Sequence, residues 1–230
     1  MKEVIDTYCG LSCQNCEYKE KNNCGGCIAT KGNAFHGKCE IAECAKKKEI
    51  NFCGECADFP CEIITKFSND EVYGDNPKGA RIERCRILKE RLVKEARKGI
   101  EPVGYCGHNC DYCWLGQWCG GCRSNYNCCS YATICEDKVC PNLKCAKEKQ
   151  IDGCYECDLL KTCEKGYYSN QKEYVAKATA IFIKKYGLEC YKNTLKSAID
   201  SGVNYPKTFD ESGSVENAIK ILEKYIYEEK

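Results

Sequence analysis

Cysteine makes up 25 of the chain's 230 residues, and its spacing is that of metal ligands. Cys9-x3-Cys13-x2-Cys16 is followed by Cys24-Gly-Gly-Cys27. Two cysteines separated by two residues share one tight turn, where both sulfurs reach the same ion or cluster. Glycine beside a ligand permits the turn and leaves backbone N–H groups free to bond sulfur.

The pattern returns later in the chain, as Cys106-x3-Cys110-x2-Cys113 and Cys119-Gly-Gly-Cys122, with Tyr before and Gly after the first cysteine of each triple (Tyr8 and Gly10, Tyr105 and Gly107). Cys39-x4-Cys44-Ala-Lys is matched by Cys140-x4-Cys145-Ala-Lys, and Cys53-x-Glu-Cys56 by Cys154-x-Glu-Cys157. Cys61 and Cys163 close the two copies. Ten cysteines therefore pair position by position, which marks an internal repeat. Between Cys122 and Cys140 the second copy carries an insertion with three further cysteines, Cys128, Cys129 and Cys135.

Two metals suit such a ligand set. Zn²⁺ takes four Cys, or Cys with His, in a closed tetrahedron. Iron–sulfur clusters also take four Cys, and the repeated triple without His suits a [4Fe–4S] cubane, whose neighbouring irons one short loop can hold. The bacterial ferredoxin run Cys-x2-Cys-x2-Cys-x3-Cys-Pro is absent. The almost purely thiolate field favours several [4Fe–4S] clusters as cofactors, with Zn²⁺ the alternative. The ten pairs allow two four-ligand sites per repeat, but spacing does not divide them.

Cys-x3-Cys-x2-Cys is also the cluster motif of radical S-adenosylmethionine enzymes, and Tyr112 supplies the aromatic that motif favours. Those enzymes need a long alternating strand–helix barrel, which this sequence does not offer, so radical chemistry is set aside. Of the two histidines, His36-x2-Cys39 has ligand spacing, whereas His108 stands where the other copy has Leu11. Trp114 and Trp118 flank the second loop, either shielding a cluster or packing a thin core. Gly-rich phosphate loops, Ser/His/Asp arrangements and carboxylate pairs are lacking, so no catalytic residue is named.

The N-terminal stretch from Met1 has no apolar signal region, and no run approaches the ~18 apolar residues of a membrane span. The expectation is a cytoplasmic protein away from membranes, where reduced cysteines read as metal ligands or catalysts. The formal charge of +1 counts every cysteine as neutral. Four thiolates around Zn²⁺ or a [4Fe–4S]²⁺ core leave roughly two negative charges per site, so the loaded protein is acidic and poorly suited to nucleic acid. Abundant Lys, Glu, Ile, Asn and Tyr is the usage of a low-GC prokaryote.

The ligand loops need elements to hold them. Lys-rich stretches 45–51 and 146–152 predict short helices between ligand pairs; their lysines either offset thiolate charge or form a solvated face. Residues 77–98 predict an amphipathic helix with Ile82, Cys85, Leu88, Leu92 and Ala96 inward, stopped at Gly99. Cys85, like Cys190, reads as a buried thiol. Three helices are expected near the end: 171–186, 188–200, and one after Ser214 as N-cap. Few Leu, Ile or Val lie inside the repeats, and so thin a core needs cross-links that metals supply.

These motifs resemble the DUF3795 family, a Cys-rich prokaryotic family of unknown function. The resemblance lies in Tyr-Cys-Gly-Leu-x-Cys-x-x-Cys at 8–16, Cys-Gly-Gly-Cys at 24–27, Cys-x4-Cys-Ala at 39–45, and the Cys53/Cys56 pair with Asp-Phe-Pro-Cys ending at Cys61. It covers residues 7–66 and, more loosely, 104–166, where the Phe-Pro is missing. The family pattern places a further Cys at His36, which strengthens His36 as a ligand; the second copy has Asp137 there. The resemblance implies metal binding, zinc or iron–sulfur, and no reaction.

The sequence thus predicts a mostly α fold with irregular Cys-rich loops, built as small metal-stabilised domains: repeat 1 over 1–66, a helical linker over 67–102, repeat 2 over 103–166 and a helical C-terminal unit over 167–230. Its leading functional expectation is an iron–sulfur protein of an anaerobic prokaryote, in electron transfer or as a redox accessory, working with a redox partner protein. A zinc-stabilised interaction module is the second reading and an enzyme with an open cluster site the third. The oligomeric state is left open.

Overall fold

The computed structural model describes residues 5–14, 16–116, 119–124, 126, 130–169 and 172–226. Trp118, Cys128, Cys129 and Gln171 lie outside the described residues. Among those described the fold is mostly α, with short 3-10 turns, one two-stranded hairpin and irregular Cys-rich loops. It divides into two units, residues 1–95 and 96–230.

The first unit carries α1 (Glu17–Lys21), the hairpin β1 (Asn33–Ala34) and β2 (Gly37–Lys38), then α2 (Glu40–Lys47), α3 (Glu62–Asn69) and α4 (Ala80–Ala96). Helix α2 starts directly behind Cys39, its N-cap residue, earlier than the stretch 45–51 that the lysines alone predict. Glu40 and Glu43 in its first turn and Lys46 and Lys47 in its last complement the helix dipole. Helix α4 begins at Ala80 rather than 77 and turns Cys85 and Leu88 into a core with Ile41, Phe52 and Ile64. The helix of the stretch read as a linker is therefore part of this unit's core. Each fully buried side chain of this size contributes about 1.5–3 kcal/mol, so a handful of them makes a thin core for so long a chain.

The second unit carries α5 (Pro141–Glu148), α6 (Val175–Tyr186), α7 (Leu188–Asp200), α8 (Lys207–Asp210) and α9 (Val215–Glu223). Its core is larger, with Phe182, Tyr191, Leu195, Phe209 and Leu222 fully buried. Helix α6 lies at the centre and packs against α7, α9 and the 3-10 turns Cys154–Glu156, Leu160–Thr162 and Gly166–Ser169. The C-terminal helices thus cap the second Cys-rich segment. Helix α6 starts at Val175, where the Asp210 carboxylate accepts the Val175 N–H at 3.0 Å. Gly187, at φ 88°, joins α6 to α7 in one residue, and Ser214 caps α9 by accepting the Asn217 N–H at 3.1 Å. Cys85 is fully buried, but Cys190 is only half-buried, with its Sγ 3.9 Å from Thr194 Oγ1. Among the described residues no helix is long and apolar enough to cross a membrane.

Candidate metal centres

In the first unit the opening loop is shaped by its own side chains. The Asp6 carboxylate accepts Cys13 N–H at 3.2 Å and Ser12 O–H at 3.0 Å, and Thr7 O–H donates to the Leu11 carbonyl at 2.8 Å. In the Cys-Gly-Gly-Cys turn, Gly26 at φ 86° points its N–H to Cys24 Sγ at 3.5 Å. Burial pushes the Cys13 thiol up, with Asp6, Cys16 and Cys24 adding to it and a bond from the Cys27 backbone opposing. Burial also pushes Cys27 up to about 11, with charge on Cys9, Cys39 and Cys13 adding. Cys9, Cys13, Cys16, Cys24, Cys27 and Cys39 therefore share one electrostatic neighbourhood.

The second unit repeats this arrangement. Cys106, Cys110, Cys113, Cys119 and Cys122 line one small cavity together with His108, Tyr131 and Tyr167. Gly121, at φ 75°, donates its N–H to Cys119 Sγ at 3.4 Å, and Ser130 N–H does the same at 3.4 Å. Burial drives the Cys110 thiol far above its ordinary range, with Cys122 and Cys119 adding to the effect. Burial pushes the Tyr131 hydroxyl up, and Cys135, Cys140 and Cys106 add to the effect.

A second set of thiols lines another cavity of the second unit. Cys145, Cys154, Cys157 and Cys163 line a cavity of about 260 Å³ with Asn142, Lys149, Lys165 and Tyr168. That is several times the ~30 Å³ of one liquid water. Cys145 comes from α5, Cys154 and Cys157 from the ends of one 3-10 turn, and Cys163 from the end of the next. The Lys149 ammonium donates to Cys157 Sγ at 3.2 Å and the Lys165 ammonium to Cys145 Sγ at 3.7 Å. The Asn142 amide donates to Cys154 Sγ at 3.8 Å. Although burial pushes the Cys157 thiol up, the Lys149 bond, a bond from the Leu159 backbone and the Lys149 charge together outweigh it and leave Cys157 below the ordinary thiol range.

The equivalent group in the first unit is Cys44, Cys53, Cys56 and Cys61. Burial drives the Cys53 thiol well above its usual range, with Cys85, Cys9, Cys61 and Cys44 adding, and Lys48 donates to Cys56 Sγ at 3.2 Å. Other contacts recur at matching positions. Cys53 N–H bonds the Tyr8 carbonyl at 2.8 Å and Cys154 N–H the Tyr105 carbonyl at 2.7 Å. Glu55 accepts Asn51 N–H at 2.8 Å and Glu156 accepts Asp152 N–H at 2.8 Å, which explains the Glu between each cysteine pair. Gly10 packs against Cys85 of α4, and Gly107 against Ala176 and Ala180 of α6.

The sequence candidates are thus sorted. Among the described residues no three His, Cys, Asp or Glu side chains form a single-ion site; the four thiols of the second group stand around a cavity. His36 is exposed on the hairpin turn, its ring edge-on to Phe35. Trp114 is 71% exposed, so it packs no core. His108, which the comparison with Leu11 left aside, lines the first cavity of the second unit. Its Nδ1 is buried without a hydrogen-bond partner among the described residues, and burial holds the imidazole down to about 4, hence neutral. Asn142, Lys165 and Tyr168 were missed because the first repeat has Ile41, Ile63 and Lys66 at the same offsets from its cysteines.

Residues 5–66 match the model of DUF3795, a family described as a protein of unknown function. That domain spans every cysteine of the first repeat. No curated protein and no solved structure matches the chain.

Proposed function

We propose that this chain is an iron–sulfur protein that carries electrons, or serves as a redox accessory, for a partner protein. One observation carries the reading: Cys145, Cys154, Cys157 and Cys163 line a single cavity of about 260 Å³. Four thiols are the donor set of a cubane, and Glu164 also lines the cavity. A zinc ion draws four sulfurs to about 2.3 Å from one point, and a cavity of this size suits a polynuclear group better. A [4Fe–4S] group, when bound, supplies one-electron chemistry. The chain's own residues supply the four thiolates, and Lys149 and Lys165 offset part of their charge.

We further infer that residues 103–166 are a second copy of the family domain at 5–66. The recurring Tyr8/Cys53 and Tyr105/Cys154 bonds and the two Lys–Cys contacts at 3.2 Å support this. Each copy then offers two ligand groups, one from the triple and the Gly-Gly turn and one from Cys44, Cys53, Cys56 and Cys61 or their counterparts.

Metal analysis of anaerobically purified protein tests the reading. Iron with acid-labile sulfide, absorbance in the visible and a cubane EPR signal on reduction are expected. A colourless protein holding zinc and no iron overturns it in favour of a folding-only metal module. An EPR signal shifted by an added small ligand would mark an open iron, as an enzyme needs.

A further inference from the structure

The two units differ in what surrounds the second thiol group, and from this difference we infer that the two equivalent sites are tuned to different reduction potentials, the second unit's being the more positive. The inference rests on the iron–sulfur reading. Both sites share one contact, Lys48 to Cys56 and Lys149 to Cys157, each at 3.2 Å. The second site adds two more donors: Lys165 to Cys145 at 3.7 Å and the Asn142 amide to Cys154 at 3.8 Å. Counting from the cysteines, the first unit has Ile63 in place of Lys165 and Ile41 in place of Asn142. Among the described residues, Cys44, Cys53 and Cys61 receive no side-chain hydrogen bond at sulfur.

The added donors are built in, at least at Asn142. That side chain is 1% exposed, accepts Tyr167 N–H at 2.9 Å and donates to the Lys165 carbonyl at 3.1 Å. Gly166 is required beside it, because a Cβ there would meet the Asn142 Oδ1. The amide is therefore held in place before any ligand binds. Hydrogen bonds and positive charge at the ligating sulfurs stabilise the more negative, reduced cluster and raise its potential. Ile41, 1% exposed in the core of the first unit, can do neither. Asn142 and Lys165 are positioning and tuning residues, and Cys145 and Cys154 are the ligands they act through.

The test is a potentiometric titration of the full, anaerobically purified chain followed by EPR, with iron and zinc measured on the same samples. The parent is expected to show separate midpoints. Lys165→Ile, an exposed substitution that spares the core, should lower one midpoint, that of the second unit's Cys145 site, and leave the others in place. Asn142→Ile should lower it further, and Ile63→Lys should raise the first unit's midpoint. Iron-loaded protein whose midpoints do not move in Lys165→Ile and Ile63→Lys overturns the tuning inference while the iron–sulfur reading stands. Zinc without iron overturns both.

Discussion

Cys85 donates its thiol proton to the Cys9 carbonyl at 3.2 Å, which ties helix α4 to the first Cys-rich loop of the first unit. The contact is close because Gly10, the next residue, has no side chain: a Cβ there would meet Cys85 Sγ at 2.5 Å. Gly10 also sits at φ 84°, where an L side chain is strained. Gly10→Ala therefore meets both a clash and strain, and should destabilise the first unit by about 2–3 kcal/mol. Gly26→Ala meets only the strain, since nothing lies within 4 Å of its Cβ position, and should cost about 1–2 kcal/mol. Denaturant melts of the two variants check the order; equal losses would show that α4 can move off the loop.

On the proposed iron–sulfur reading, the two sets of thiols predict a metal stoichiometry. Cys145→Ser, Cys157→Ser and Cys163→Ser should each remove the same amount of metal, and combining two of them should remove no more. Cys110→Ser should remove a further, additive amount. Cys190→Ser should remove none, because Cys190 lies on α7 beside Thr194. Metal per chain, measured for single and double variants, decides the grouping. Additive losses for Cys145 and Cys163 would show that they serve different sites.

Much of this was readable in the sequence where the signal is local. The period of Tyr191, Leu195 and Ile199 marks α7 at its observed bounds, and the Gly-Gly turns appear with their N–H groups on sulfur. Grouping was not readable. Cys44, Cys53 and Cys61 stand on different elements, and what fixes Cys53 is tertiary: it packs in one core with Phe52 and Ile64, and its N–H bonds the Tyr8 carbonyl. Helix α8 escaped notice because four residues are too few to show a period, although its Phe209 is fully buried. Asn142 was hidden for the opposite reason: the internal repeat directs attention to residues shared by the copies, and Asn142 is one that differs.

The entry to α4 depends on a buried ion pair. Asp75 Oδ1 accepts Arg81 Nε–H at 2.7 Å, with the two side chains 2% and 11% exposed, and Asp75 Oδ2 accepts Arg81 N–H at 2.8 Å. Asp75→Ala leaves the Arg81 charge and the Ser68 hydroxyl without this partner. A loss of about 3–5 kcal/mol is expected. The exposed pair Lys196–Asp200 is a control: Asp200→Ala should change stability by less than about 1 kcal/mol. Chemical denaturation of both variants provides the comparison, and similar losses would refute the special role of Asp75.

Asp210 gives the second unit a pH dependence of definite sign. Its half-buried carboxyl is raised above the ordinary 3.8 by burial, which outweighs the bonds it accepts from Val175 and Tyr174 N–H. A carboxyl that is harder to ionise in the folded than in the unfolded chain binds protons more tightly when folded, so it lowers stability at neutral pH. That penalty fades as pH falls through the raised value and is gone below 3.8. Asp210→Asn keeps an amide oxygen to accept Val175 N–H and removes the charge. The variant should therefore melt above the parent at pH 7, with the gap closing as pH falls toward 3.8. Other titrating groups are the same in parent and variant, so the difference between their melting temperatures isolates the carboxyl. A variant that melts below the parent at pH 7 would mean that the ionised carboxylate stabilises the start of α6.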